Sequence, residues 1–197
     1  MRLAAVRSSP RVAVVGHVEW VQFALVEHLP RAGEVVHASD PFEEPAGGGA
    51  VAAVQLARLA GEAMLFTVLG DDELGRRSAE RLRELGVDVR AAIVDAPTRR
   101  AVTLLDAHGE RTITTFGPRL EPRGEDPDGQ WRALSGVDAL YFTAGDPSAL
   151  RVAREATRVL VATPRARDAF GHGVPLDALV LSRDDAVERH SVAERVT

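Results

Sequence analysis

The chain has 197 residues, 45% of them hydrophobic and 27% charged, enough apolar sequence to bury a core of ordinary size without a disulfide or a metal. It contains no cysteine, which excludes disulfides, thiol nucleophiles, Cys-ligated zinc and iron–sulfur clusters. The net charge of -5, with arginines interleaved among acids, argues against a nucleic-acid partner, because phosphate neutralisation needs a clustered basic face.

Met1 to Pro10 holds two arginines but no apolar signal core, and no apolar run approaches the roughly 18 residues of a membrane span. The sequence therefore reads as soluble, without a membrane partner, and cytoplasmic. Lysine and asparagine are absent. A P-loop ending in Gly-Lys-Ser/Thr is thus excluded, and any site normally built from Asn or Lys must be built differently.

In chain order, Arg11 to Gly16 (RVAVVG) is an apolar, β-branched run ending at glycine, the pattern of a buried first strand feeding a turn. Gly33 to Ala38 reads as a short strand and the Pro-, Glu- and Gly-rich stretch Asp40 to Gly49 as an ordered loop. Ala50 to Ala60 is rich in helix formers and stops at Gly61. Met64 to Leu69 is the next buried strand. Gly70-Asp71-Asp72 then turns into a helix over Glu73 to Leu85, with Leu74, Ser78, Leu82 and Leu85 on one face.

This alternation predicts a parallel sheet covered on both faces. Val89 to Val94, Ala101 to Asp106 and Arg111 to Phe116 follow as strands without helices between them, with Asp106 to Gly109 a hairpin turn. They predict a small antiparallel sheet inserted into the α/β domain. After a polar loop, Glu121 to Gln130, the alternation resumes with a strand over Ala139 to Ala144, a helix over Pro147 to Thr157, and strands over Val159 to Ala162 and Ala178 to Ser182. The tail from Asp184 is charged.

Gly47-Gly48-Gly49 before a helix is a place where backbone can approach a ligand closely, with helix amides aimed at it. By itself such a triplet is more often packing punctuation. The ordered set is more specific: VVG at Val14 to Gly16, GGG-x6-LARL at Gly47 to Leu59, VLGDDELG at Val68 to Gly75, LRELGVD at Leu82 to Asp88, and AVTLLDAHGERTITT from Ala101. In order and spacing these resemble the N-terminal signature of the PfkB, or ribokinase-like, carbohydrate kinases, over roughly Arg11 to Ala162.

The resemblance implies a ribokinase-like α/β fold: a mostly parallel sheet flanked by helices, with a small antiparallel β lid whose strands come from about 33–40 and 89–116, the whole of 1–197 being one incomplete domain truncated at its C-terminal end. It implies ATP and Mg²⁺ as the family's cofactors, transfer of the ATP γ-phosphoryl group to a sugar or nucleoside hydroxyl, and a sugar pocket lined by Gly47, Gly48 and Gly49. The family's Asn and Asp after the first strand fall on Glu19 and Val21, and its Asn after the glycines falls near Ala52. Glu19 remains as a hydroxyl acceptor, or else as a solvated loop carboxylate.

The family's late motif, with an Asp base at a helix N-terminus, has no counterpart in the right place. Thr143-Ala144-Gly145-Asp146 comes too early, and Asp146-Pro147 is the usual start of a helix. No catalytic residue is therefore assigned. Asp71 or Asp72 is expected to cap the helix after it. Ser182-Arg183-Asp184-Asp185 falls where the family's Asn-x-x-Glu lies near Mg²⁺, although adjacent surface acids at a helix start account for it equally simply. The six histidines show no ligand spacing, so no metal site is read, and Gly16-His17-Val18-Glu19 lacks the Rossmann glycine pattern.

Two readings result: a sugar or nucleoside kinase of the PfkB type, inactive as this truncated chain, or a non-catalytic remnant of that family that binds a small polyol or dimerises. Open strand edges on the lid predict a homodimer through it.

Overall fold

The computed structural model describes residues 9–125, 129–171, 173–183, 185 and 188. The elements in order are β1 (Val12–Val15), β2 (Glu19–Leu25), β3 (Ser39–Ala46), α1 (Gly47–Ala60), β4 (Ala63–Gly70), α2 (Glu73–Glu84), β5 (Val87–Val94), β6 (Arg100–Leu105), β7 (Arg111–Phe116), β8 (Ala139–Phe142), α3 (Pro147–Ala156), β9 (Val159–Ala162) and β10 (Ala178–Leu179). Short 3-10 turns lie at Gln130–Leu134 and Pro164–Ala169.

Six strands form a parallel sheet in the order β10-β9-β8-β1-β4-β5. All eight residues of β4 are buried, as a near-continuous apolar run in the middle of such a sheet requires. Successive side chains point to opposite faces and so feed two cores. Val14, Leu65, Val87 and Val89 pack with Ala53, Val54 and Leu82 of α1 and α2 on one side. Val15, Phe66, Leu140 and Phe142 pack with Leu150 and Ala153 of α3 on the other.

Four strands form the second sheet, in the order β3-β2-β6-β7. Its outer pairings, β2 with β3 and β6 with β7, are antiparallel, and β2 runs parallel to β6, Trp20 opposite Arg100. The composition of this sheet differs from the sequence-based expectation in three ways. Val87–Val94 belongs to the main sheet, in register with β4 from Ala63–Val87 to Gly70–Val94, because its residues Val87 and Val89 complete the α1/α2 core. Residues 33–38 form no strand; the strand is Ser39–Ala46, inside the stretch expected to be a loop. Its two prolines, Pro41 and Pro45, are tolerated because β3 is an edge strand, where a missing N–H breaks no ladder on the open side. Glu19–Leu25, to which the sequence assigned no element, is the strand that joins the two halves. The second sheet thus draws on 19–25, 39–46, 100–105 and 111–116, where 33–40 and 89–116 were expected.

The sheet is fastened to α2. Arg81 makes a bidentate contact with Glu44, its Nη2 donating to Oε1 at 2.7 Å and its Nε to Oε2 at 2.9 Å. The Arg77 guanidinium lies 4.3 Å from the centre of the Trp20 ring, a cation–π contact. The hairpin turn after β6 forms as expected, Asp106 accepting from the His108 and Glu110 amides. No helix among the described residues is long and apolar enough to cross a membrane.

Candidate sugar site

The three glycines are the first turn of α1, entered directly from β3, and each does something different. Gly49 is buried, and its N–H donates to the His17 carbonyl at 3.0 Å. A Cβ there would lie 2.6 Å from the Gly16 carbonyl carbon, and one on Gly16 would lie 2.7 Å from Gly49 Cα and 1.9 Å from Thr143 Oγ1. Gly16 and Gly49 therefore let β1 and the start of α1 touch backbone to backbone. Gly47 has φ +87°, a conformation that favours glycine, and a Cβ there would meet His17 and Glu19 at 3.1 Å. Gly48 is exposed, with Thr143 and His17 at 3.4 and 3.5 Å from where its Cβ would be. The α1 N-terminus has no side-chain cap and no acid in its first turn, so Gly47 and Gly48 present their amides freely.

Glu19, the first residue of β2, stands over this turn opposite Ala46. Its carboxylate is largely buried, with His17 Nε2 3.5 Å from Oε1 and Arg99 Nε 3.2 Å from Oε2. Burial pushes the Glu19 carboxyl upward, but the hydrogen bond from His17 and the charges of His17, Arg99 and Arg119 outweigh it and hold the group below the ordinary carboxylate range. Glu19 is therefore ionised at neutral pH, and it is not a solvated loop carboxylate.

Three buried polar atoms of this cluster lack hydrogen-bond partners: Glu19 Oε2, Arg99 Nε and His17 Nδ1. The Arg99–Glu19 contact is an ion pair whose atoms are not aligned for a hydrogen bond. His17 is only 9% exposed. Buried polar atoms are nearly always satisfied in native structures, and an orphaned group calls for a ligand or another explanation.

The structure brings Glu19 together with the glycines that the sequence singled out, and places beside them His17 and Arg99, which it did not. His17 follows the first strand immediately, yet shows no ligand spacing. Arg99 enters from a distant loop, where Thr98 is fixed by Asp72: the Thr98 N–H and Oγ1 each donate to the Asp72 carboxylate at 2.7 Å. Asp72 also accepts from Gly75 N–H at 2.8 Å and so caps α2 while tethering the arginine's neighbour.

Asp146 caps α3, accepting from the Ala149 N–H at 2.8 Å and the Ser148 hydroxyl at 2.6 Å. Burial raises its pKa, but these hydrogen bonds hold it below the usual value, so it is an engaged carboxylate and not a base poised to take a proton. At the other candidate, Asp184 lies outside the described residues. Asp185 is bonded to the Arg165 guanidinium and accepts from the Glu188 N–H at 3.1 Å. Glu188, buried, accepts from Arg165 Nε at 2.6 Å and Ser182 N–H at 2.7 Å. An arginine occupies the place a cation would take, so these residues do not fit a hydrated Mg²⁺, and among the described residues no group of three or more His, Cys, Asp or Glu gathers to hold a metal.

Residues 9–179 match the family described as pfkB family carbohydrate kinase. The chain is 28% identical over 108 residues to ribokinase of Dictyostelium discoideum, and 42% identical over 96 residues to fructokinase-1 of Oryza sativa subsp. japonica. Those matches cover 54% and 47% of this chain but only 34% and 30% of the two relatives. Among solved structures, ribokinase from Thermotoga maritima superposes with a TM-score of 0.66 at 24% identity, over 86% of this chain and 58% of that one. Arabidopsis thaliana ribokinase complexed with ribose and ATP gives a TM-score of 0.64 at 20% identity, over 94% and 68%. The two-sheet architecture and the family match agree: the chain belongs to the pfkB family of carbohydrate kinases.

Proposed function

We propose that this chain is the sugar-binding part of an ATP-dependent kinase of sugar hydroxyls, in which Glu19, Arg99 and His17 hold the sugar over Gly47 and Gly48. The reading rests on three buried polar atoms beside the glycine turn that make no hydrogen bond, two of them ion-paired to each other. Each unmade hydrogen bond costs about 1–3 kcal/mol in a buried setting. A polyol hydroxyl is both donor and acceptor, so neighbouring hydroxyls can donate to Glu19 and accept from Arg99 at once. Because Glu19 and Arg99 offset each other in charge, a neutral sugar or nucleoside fits better than an acidic one. Gly49 serves this site by packing, and the second sheet acts as its lid, excluding water from a phosphoryl acceptor.

The family's phosphoryl donor is ATP, and the Arabidopsis relative was solved with ribose and ATP. The side chains described here bind and orient the acceptor; both acids that resemble catalytic or Mg²⁺ positions, Asp146 and Asp185, are engaged in internal bonds. That engagement favours, as a second reading, a non-catalytic polyol-binding member of the family. Either form would work in the cytoplasm, where sugars and ATP meet.

Titration calorimetry with ribose, fructose and adenosine tests the site. One of them is expected to bind, and Glu19→Gln and Arg99→Met each to weaken it about tenfold, as loss of a charged hydrogen bond does. No binding by any of the three, or binding untouched by both variants, would overturn the assignment. In parallel, ATP and Mg²⁺ with the bound sugar should yield no sugar phosphate from this chain alone, and turnover would sink the second reading.

A further inference from the structure

A parallel sheet is ordinarily covered on both faces, because each face of its strands is apolar. Over β8 and β9 the cover on one side is α3. Over β4 and β5 no α-helix among the described residues covers that same face. Phe66 and Val68 stand opposite Arg90 and Ala92, with Val94 beyond, and together they floor a cleft of about 480 Å³. None of the residues lining it belongs to an α-helix. Its walls are the irregular segment Arg119 to Glu125 and the pair Gln130 and Trp131.

These walls are fixed. Gln130 Nε2 donates to the Ala91 carbonyl at 3.0 Å, and Trp131 Nε1 to the Arg123 carbonyl at 3.1 Å. The Trp131 ring stacks on Phe66, centroids 5.1 Å apart and planes 3° from parallel. The volume lies within the roughly 300–1,000 Å³ of small-molecule sites.

Among the described residues the charge on the rim is lopsided. Three arginines line the cleft, Arg90, Arg119 and Arg123, against two acids, Glu121 and Glu125. Arg90 is held by Asp88 at 2.8 Å and Arg119 by Glu121. Arg123 makes no ion pair among the described residues. The cleft thus offers an apolar, aromatic-sided floor and one guanidinium, that of Arg123, with no ion pair among the described residues, able to take a planar oxyanion in a forked contact.

We propose that this cleft is a second ligand site, separate from the glycine turn, for a small organic anion: a carboxylate or phosphate monoester on a flat apolar body, its oxyanion on Arg123 and its body over Ala92 and Val68 against Trp131. The proposal stands independently of the sugar reading.

The test uses the whole chain and 8-anilinonaphthalene-1-sulfonate, a flat apolar body with one oxyanion, followed by its fluorescence and by energy transfer from tryptophan. We expect saturable binding of one dye per chain, displaced by benzoate or phenyl phosphate but not by neutral benzyl alcohol; which anion displaces it identifies the oxyanion. Arg123→Glu, on an exposed side chain, should weaken the dye about tenfold or more, as reversing a charged contact does, and Ala92→Trp should abolish binding by filling the floor. Arg119 is left intact because its charge reaches Glu19. Arg123→Glu should leave sugar calorimetry unchanged, so the two sites fail or stand separately. Dye uptake that does not saturate, that ignores both variants, or that is absent because other chain fills the cleft would overturn the proposal, as would displacement by the alcohol equally with the anions.

Discussion

Glu19 is held as a carboxylate against its burial by groups from three separate stretches of chain, the His17 ring and the Arg99 and Arg119 guanidiniums. Its folded pKa lies below that of an unfolded glutamate, so the unfolded chain takes up this proton first as pH falls. The stabilisation is therefore fully present above about pH 4.3 and is lost as pH drops through the lower folded value. Urea unfolding between pH 7 and 3 should show the wild type losing stability below about pH 4.3 more steeply than Glu19→Gln, which starts lower and has no such proton to bind. Parallel slopes would mean that the carboxylate is not selectively stabilised. At this scale the sequence exposed one member of the site and hid the other two. Glu19 was legible because it fills a position next to the first strand, whereas Arg99 reaches it only through the Asp72–Thr98 tether, a contact between residues no local pattern connects.

The first turn of α1 and the end of β1 make one unit, in which Gly49 packs against backbone and Gly48, under the proposed function, binds, a division that substitution can test. Gly49→Ala drives a Cβ to within 2.6 Å of backbone that cannot swing away, so the strand and helix must part. Overpacking of this kind costs about 1–3 kcal/mol, seen as a lower urea midpoint. Gly48→Ala places its Cβ at ordinary contact distances and should leave the midpoint nearly unchanged while weakening sugar binding. If Gly48→Ala destabilises as much as Gly49→Ala, the division of roles fails.

Elements with one dominant signal were legible from sequence: β1, α1, β4, α2, the β6–β7 hairpin, α3 and β9 lie within a few residues of where periodicity and caps put them. Those whose state is decided by a partner were not. β3 carries prolines that read as a loop until its edge position is known, β2 lacks a long apolar run, and β5 looks like a sheet insertion until its Val87 and Val89 are seen in the main core.

For the whole molecule, the feature that asks for a partner is the exposed far end of the second sheet's Glu19-bearing face, beyond buried Val21, Ala101 and Thr103. Phe42, 52% exposed, stacks on Phe23 at 4.8 Å, and Ile113, 50% exposed, lies two strands away on β7, every residue of which is exposed. Alternation puts Phe23, Leu25, Phe42 and Ile113 on one side of the sheet, bounded by an open edge at β7. We expect a second copy to cover that face. Light scattering should report a dimer, and Ile113→Asp a monomer with unchanged far-ultraviolet circular dichroism; a wild-type monomer across working concentrations would refute it.

The parallel pairing of β2 with β6 also dictates an order of assembly. Trp20 must find Arg100, and the chain between them supplies β3, α1, β4, α2 and β5. Closing so long a loop is entropically unfavourable unless the intervening strands have already condensed. The β2–β6 pairing is thus expected to form late, after the strands between them have paired.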